Sequence, residues 1–406
     1  VPPGAAGSVA GRPSATHGAE HPWEERVQRA AHPVAYRLLS RIRRPVVRIP
    51  GLGVVVTDAE LLRGVLLDSA AFTKTGPGSP ADLWTPVLGP SVLLNMEGDA
   101  HHALRRRIGP LFAPAYVTSL TTETIGASTA RLTARLGAGQ TVDVVAEARE
   151  NAGRVISRLV GLEPDVIGAE LFARVSSVTG FVRLARPRFT AAQIAHARGV
   201  LAELTQHARR AYREGSPDTV PGRMRELGLS EDEAMGAVGA FVLTGTETLV
   251  SYIPRMIALL ADTGWLARLA RDPGMTDAAV VEGLRVTTPS PVMLRSVARS
   301  GRVGTVDVRI GDRLILATFL ADRAAGRFDP ASNPAASLKQ LWFGAGAHFC
   351  LGAPLAMAQI SATLEAVLAA ERTAPLVIGQ RRVERGTLIP GYARLHLQRA
   401  RAGGTA

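Results

Sequence analysis

The only cysteine among the 406 residues, Cys350, lies in Phe343-Gly344-Ala345-Gly346-Ala347-His348-Phe349-Cys350-Leu351-Gly352, a glycine-rich approach to a predicted helix start. A lone cysteine forms neither an intrachain disulfide nor a multi-cysteine zinc site. That leaves a metal ligand, a nucleophile, a redox sensor or a small buried hydrophobe. The spacing argues against an accident. In a chain with 10 Phe and 41 Gly, these offsets of Phe343, Gly346 and Gly352 from the cysteine should coincide on the order of once in 4,000 chains. Glycines permit tight positive-φ turns and close backbone approach to a flat ligand, and Gly352 omits the side chain that would strike it. The helix predicted over 353–369, with Pro354 in its first turn, presents unpaired N–H groups and its positive end to the sulfur. That environment favours a thiolate suited to iron.

Other groupings are weaker alone. Glu282 and Arg285 have the spacing of an ordinary helical ion pair. His101 and Arg105 stand one turn apart on one helix face, as in a basic surface helix or a phosphate patch. Ser230-Glu231-Asp232-Glu233 has capping-box spacing before a long apolar helix predicted over 234–260. Mid-helix, Thr244-Gly245-Thr246-Glu247-Thr248 weakens helix propensity, and its hydroxyls have carbonyls one turn back to bond.

Taken together, and in this order, the groupings resemble the cytochromes P-450, whose cysteine loop reads Phe-x-x-Gly-x-x-x-Cys-x-Gly. The resemblance implies haem b (iron protoporphyrin IX) with Cys350 as iron ligand, Phe343 shielding the sulfur and Gly352 beside it. It implies that His101, Arg105, Arg295 and His348 grip the haem propionates, and that Glu282 and Arg285 are structural. Glu247 and Thr248 would deliver protons for O–O cleavage beside a local opening of the central helix. Three departures stand out. Thr244 replaces a smaller residue, Pro254 is expected to kink the helix, and the segment 321–330 is shortened.

The implied fold is mainly α (α+β), a single large helical domain with small β-sheets and the haem between the central helix and the cysteine loop. Dispersed Pro and Gly and the absence of a repeat agree with one domain over 21–400, a disordered extension at 1–20 and a flexible tail at 401–406. Hairpin strands are predicted at 45–49 and 53–57, a second strand pair within 306–318, and helices over 58–67, 156–162 and 191–213. No uncharged apolar run of membrane-spanning length and no signal-peptide pattern is evident, so a soluble, cytoplasmic, monomeric protein is expected. The net charge of +12 comes from scattered arginines without a nucleic-acid module. Part of it, around Arg105–Arg107 and the cysteine-loop face, would suit an acidic electron-transfer protein.

The function so implied is dioxygen-dependent oxidation, foremost hydroxylation, of a medium-sized hydrophobic molecule in secondary metabolism. Electrons would come from a ferredoxin and its NAD(P)H-dependent reductase. By analogy the pocket would draw on Trp84, Val87, Leu88, Phe181, Thr244, Gly245, Val292, Met293, Leu294 and Leu388, all of which could equally be ordinary core. Peroxide use, ring formation or coupling are the rival enzymatic outcomes, and a non-catalytic haem sensor is the rival from another class.

Overall fold

The computed structural model of the chain describes residues 21–161, 174–175, 177–182, 186, 188–217 and 219–400. The predicted extension, the tail, Leu162 and most of 183–187 lie outside these. One helix organises the rest. Glu231–Asp262 starts at Ser230 in the predicted capping box, with both reciprocal bonds formed. It is continuous through Pro254. From Ser251 to Leu260 every residue is buried, the signature of a helix that runs through a core rather than over it. Arg255 sits in that run and is neutralised by Glu24 of the first helix, Pro22–Ala31. Removing one partner of such a pair leaves a stranded charge.

The apolar core divides along this helix. Ala234 to Leu243 packs with Leu104, Ile108, Leu120, Leu201 and Leu204. Leu249 to Leu260 packs with the sheets and with the cysteine helix Ala353–Glu371. Between the two clusters, Thr244 and Gly245 are exposed in the middle of a largely buried helix. The central helix and Ala353–Glu371 are long and apolar enough to cross a membrane, but each is largely buried within the fold.

Among the described residues ten strands flank the helices: β1 (Val46–Ile49), β2 (Gly53–Val56), β3 (Phe72–Thr73), β4 (Val142–Asp143), β5 (Met293–Val297), β6 (Gly301–Val303), β7 (Val306–Val308), β8 (Arg313–Leu316), β9 (Leu376–Val383) and β10 (Tyr392–Arg399). The first sheet has the order β1-β2-β8-β5-β3, the second β4-β10-β9, and β6 pairs β7. The β1–β2 hairpin matches the expectation. The strand pair expected within 306–318 does not form. Although both strands exist, β7 pairs β6, while β8 lies between parallel β2 and antiparallel β5. Leu314, Ile315 and Leu316 are fully buried, and such an apolar run belongs in a sheet covered on both faces.

The segment 321–330 folds directly onto the Glu282–Arg285 pair of the helix Thr276–Thr287. Arg285 donates to Glu282 and to the carbonyls of Asp322, Gly326 and Arg327. The Asp329 N–H donates to Glu282 at 3.0 Å. Both ion-pair side chains are wholly buried, so this is a core network and not a surface pair.

Candidate active site

The cysteine loop takes its shape from two glycines. Gly344 and Gly346 have φ of 82° and 67°, and a Cβ on Gly346 would lie 2.9 Å from the Leu66 carbonyl oxygen. The loop closes where the Cys350 N–H donates to the Phe343 carbonyl at 2.9 Å. Gly352, at φ −81°, needs no glycine for its backbone, and a Cβ there would meet only Phe112, at 3.9 Å. Cys350 presents accessible surface yet has protein on nearly every side, so it faces the interior of the fold. Burial pushes its thiol up. The N–H groups of Gly352 and Ala353 and the charges of Lys74 and Arg105 pull the other way.

Around the thiol the structure gathers a basic ring. Arg105, on the helix Gly98–Ile108, donates to the Phe349 carbonyl at 2.7 Å. Arg295, on β5, is 4% exposed and donates to its neighbour Leu294's carbonyl. Neither makes an ion pair among the described residues. Burial lowers Arg295 to about 10. His101 and His348 stack at 4.1 Å between ring centroids. Both ring nitrogens of His101 are buried without a partner, and burial first, then the positive charge nearby, lowers it to about 4.

Two further members of this ring were not anticipated from sequence. Lys74, at the end of β3, is enclosed, and burial followed by repulsion from Arg295 lowers it to about 7. Glu97 precedes the Gly98–Ile108 helix but does not cap it. Its carboxylate instead takes a 2.7 Å bond with His348 and the Lys74 N–H at 2.5 Å. Burial pushes Glu97 up, but these hydrogen bonds outweigh it and leave it below the usual range. The available signal was rarity, since Lys74 is one of two lysines in the chain.

Buried Arg295, part-buried Lys74 and Arg105 and an orphaned imidazole, with only Glu97 to oppose them, form a site for added negative charge. Two carboxylates beside a thiolate-bound iron meet that requirement, so the donor set fits haem.

In the central helix the expected opening is absent. Thr244, Thr246 and Thr248 donate to the carbonyls of Ala240, Val242 and Thr244 at 2.7, 3.0 and 3.1 Å. Each hydroxyl bonds back to the carbonyl one turn earlier, and the helix is continuous through 244–248. Glu247 instead faces a cavity shared with Leu388 of the loop 384–391.

The expected pocket residues divide. Trp84 and Phe181 both meet Phe189, at 5.3 and 6.3 Å between centroids, and Val87 and Leu88 pack in the same cluster. The stretch 292–294 cannot act as one wall. Val292 and Leu294 pack towards Tyr36 and Phe319, whereas Met293 comes within 3.8 Å of the Cβ position of Gly344. Strand alternation forces this split. The Arg105–Arg107 patch also dissolves, because Arg105 points inward and Arg107 pairs with Glu233. Of that run only Arg106 remains exposed.

A thiol on a glycine loop, a basic ring and a long threonine-bearing helix are the parts of a haem-thiolate protein, and comparisons with known proteins agree. The chain is 31% identical to the C-19 steroid 1alpha-hydroxylase of Sorangium cellulosum over 296 residues, covering 68% of this chain and 73% of that one. It is 29% identical to the erythromycin C-12 hydroxylase of Saccharopolyspora erythraea, covering 75% and 78%. Among solved structures, a mutant of P450 EryK in complex with erythromycin B superposes with TM-score 0.76 at 22% identity, covering 93% of this chain and 99% of that one. No family profile matches the chain. The chain belongs to the cytochrome P450 family. It is a haem-containing monooxygenase that uses dioxygen and a small-molecule substrate.

Proposed function

We propose that this chain hydroxylates a medium-sized hydrophobic molecule of secondary metabolism. Cys350 is the iron ligand of haem b, and His101, Arg105, Arg295 and His348, with Lys74, hold its propionates. The observation that carries this reading is that His101 is buried with both ring nitrogens unpartnered and Arg295 is buried without an ion pair among the described residues, both in the basic ring around the Cys350 thiol. When bound, the haem supplies dioxygen activation and transfer of one oxygen atom to the substrate.

The chain's own residues do the rest. Phe343 and Phe349, with ring centroids 6.0 Å apart, screen the thiolate from water. Thr248 Oγ1, freed from the Thr244 carbonyl by a side-chain rotation, offers a proton to the oxygen side, and Glu247 restores it from the cavity behind. Trp84, Val87, Leu88, Phe181, Thr244, Gly245 and Leu388 orient the substrate, with Met293 nearer the cysteine loop. Steroid and macrolide hydroxylases among the relatives favour a polycyclic or macrocyclic substrate. Residues 21–400 act as one domain in a soluble, cytoplasmic monomer. Electrons come from a ferredoxin and its NAD(P)H-dependent reductase, docking over exposed His102 and Arg106.

The test is the spectrum of the dithionite-reduced protein with carbon monoxide. A strongly red-shifted Soret band in wild type that is absent from Cys350→Ser is the expected result. A histidine-type band unaffected by the substitution overturns the ligand assignment.

A further inference from the structure

Behind the central helix lies a cavity of about 160 Å³ lined by Arg149, Glu247, Ser251, Glu384, Thr387 and Leu388, among others. Two carboxylates in one small cavity call for an explanation. Arg149, in the same lining, faces Glu384. The loop carrying Glu384 is held in place at several points. Its base closes through the Glu384 N–H to the Gly391 carbonyl at 2.9 Å, and the Gly386 N–H donates to Ala30. The Leu388 carbonyl bonds the His32 ring at 2.8 Å, and the Pro390 carbonyl accepts from Ser251 at 2.5 Å and from Arg255 at 3.2 Å. The loop therefore stays fixed against the central helix, one turn beyond Glu247.

The cavity also has a wet and a guarded side. Thr387 Oγ1 is a buried hydroxyl with no protein partner, and the volume has room for several waters that would satisfy it. At the rim Arg149 stands 3.9 Å from Glu384, each about two-fifths exposed. A contact so long and so exposed stabilises little and can open at low cost.

We infer that Glu384 is the outer carboxylate of a two-carboxylate proton path, taking protons from solvent beneath Arg149 and passing them through cavity water to Glu247. The balance is that of a simple relay. The Glu384 carboxylic acid gives its proton to a cavity water as that water protonates the Glu247 carboxylate, and solvent restores the proton on Glu384. No electrons move in these steps. Glu384 acts through Glu247 and is a positioning residue, not a catalytic one. The inference rests on the acid role of Glu247 proposed above.

The charges facing Glu384 are Arg149 from the helix Val144–Val160, Glu247 from the central helix and Arg382 from β9, while Tyr392 of β10 completes the lining. Burial raises its pKa, and Glu247 adds to this against the two arginines, so it holds a proton at higher pH than an ordinary glutamate.

The test uses the haem-loaded protein with ferredoxin, reductase and NADPH, no added substrate, in H2O and D2O across neutral pH. Glu384→Gln should slow NADPH consumption about tenfold and enlarge the solvent isotope effect, and Glu384→Asp should recover both. Arg149→Gln should move the pH profile upward. Independently, an infrared titration of the oxidised protein should lose a protonated-carboxyl band in Glu384→Gln, and in Glu247→Gln that band should titrate at lower pH. If Glu247→Gln is impaired while Glu384→Gln matches wild type in rate, isotope effect and pH profile, this proposal alone falls. If neither variant differs from wild type, the acid role of Glu247 falls and takes the proposal with it.

Discussion

At the residue scale, this protein keeps buried charge that a folded chain would ordinarily avoid. Arg295 and His101 are almost inaccessible and lack a carboxylate at bonding distance, which costs free energy until an anion arrives. Replacing Arg295 by Leu should therefore raise the stability of the haem-free protein in urea while weakening haem retention during gel filtration. A loss of stability in the haem-free state would count against a ligand role. Thr248 carries a different expectation. Its hydroxyl is tied to the Thr244 carbonyl at 3.1 Å, so Thr248→Ala removes one weak helix bond and leaves the fold intact. Product formed per NADPH should fall roughly tenfold with an unchanged carbon monoxide spectrum, and Thr248→Ser should restore it.

At the element scale, the helix Thr276–Thr287 and the segment 321–330 depend on one another. Glu282→Gln would leave Arg285 charged and wholly buried, costing about 3–5 kcal/mol, and urea midpoints should show it. Asp322 lies in the same knot. Burial raises it to about 8, against bonds from Thr288 and the charges of Arg285 and Arg323. The sign follows from proton linkage. The folded chain keeps this proton up to about pH 8, whereas an unfolded aspartate releases it near 3.8. Its stabilising contribution is thus fully present below the lower value and is lost as pH rises across the window. Asp322→Asn should flatten that decline, which thermal unfolding at several pH values would reveal. The cysteine loop is equally specific about backbone. Gly346→Ala meets both a positive φ and the Leu66 carbonyl, so weakened haem retention is expected without a change in the remaining helices' circular dichroism.

For the whole molecule, the first helix is a structural member and not a peripheral one. Glu24 neutralises Arg255 in the middle of the core and also pairs with Arg323 at 2.9 Å. Arg255 in turn holds the Pro390 carbonyl, so the N-terminal helix, the central helix and the loop with Leu388 form one ion-and-hydrogen-bond chain. Glu24→Gln should cost about 3 kcal/mol and broaden substrate selectivity as the loop loosens. Unchanged stability would show that the charge on Arg255 is satisfied elsewhere. The division of the core at Thr244–Thr248 has the same global origin. Two hydrophobic clusters share one helix, and the exposed Thr244 and Gly245 lie in the stretch between them.

How much of this could be read from the chain alone depended on locality. The capping box at Ser230, the positive-φ glycines before Cys350 and the hairpin of β1 and β2 were all legible, because short-range sterics and hydrogen bonding decide them. Family and chemistry were legible too, since the spacing of Cys350, His101, Arg105 and Glu282 is a one-dimensional pattern. What stayed hidden was every choice made across distance. Lys74 and Glu97 enter the basic ring through strand and helix packing. The partner of β8 is set by burial on two faces, and the split of Met293 from Val292 and Leu294 by sheet orientation. Arg107 leaves the surface because Glu233 comes to meet it. Glu384 comes to share a cavity with Glu247 through a loop fastened to two helices. Contacts of that kind depend on which surfaces the fold brings together, and only the tertiary structure decides it.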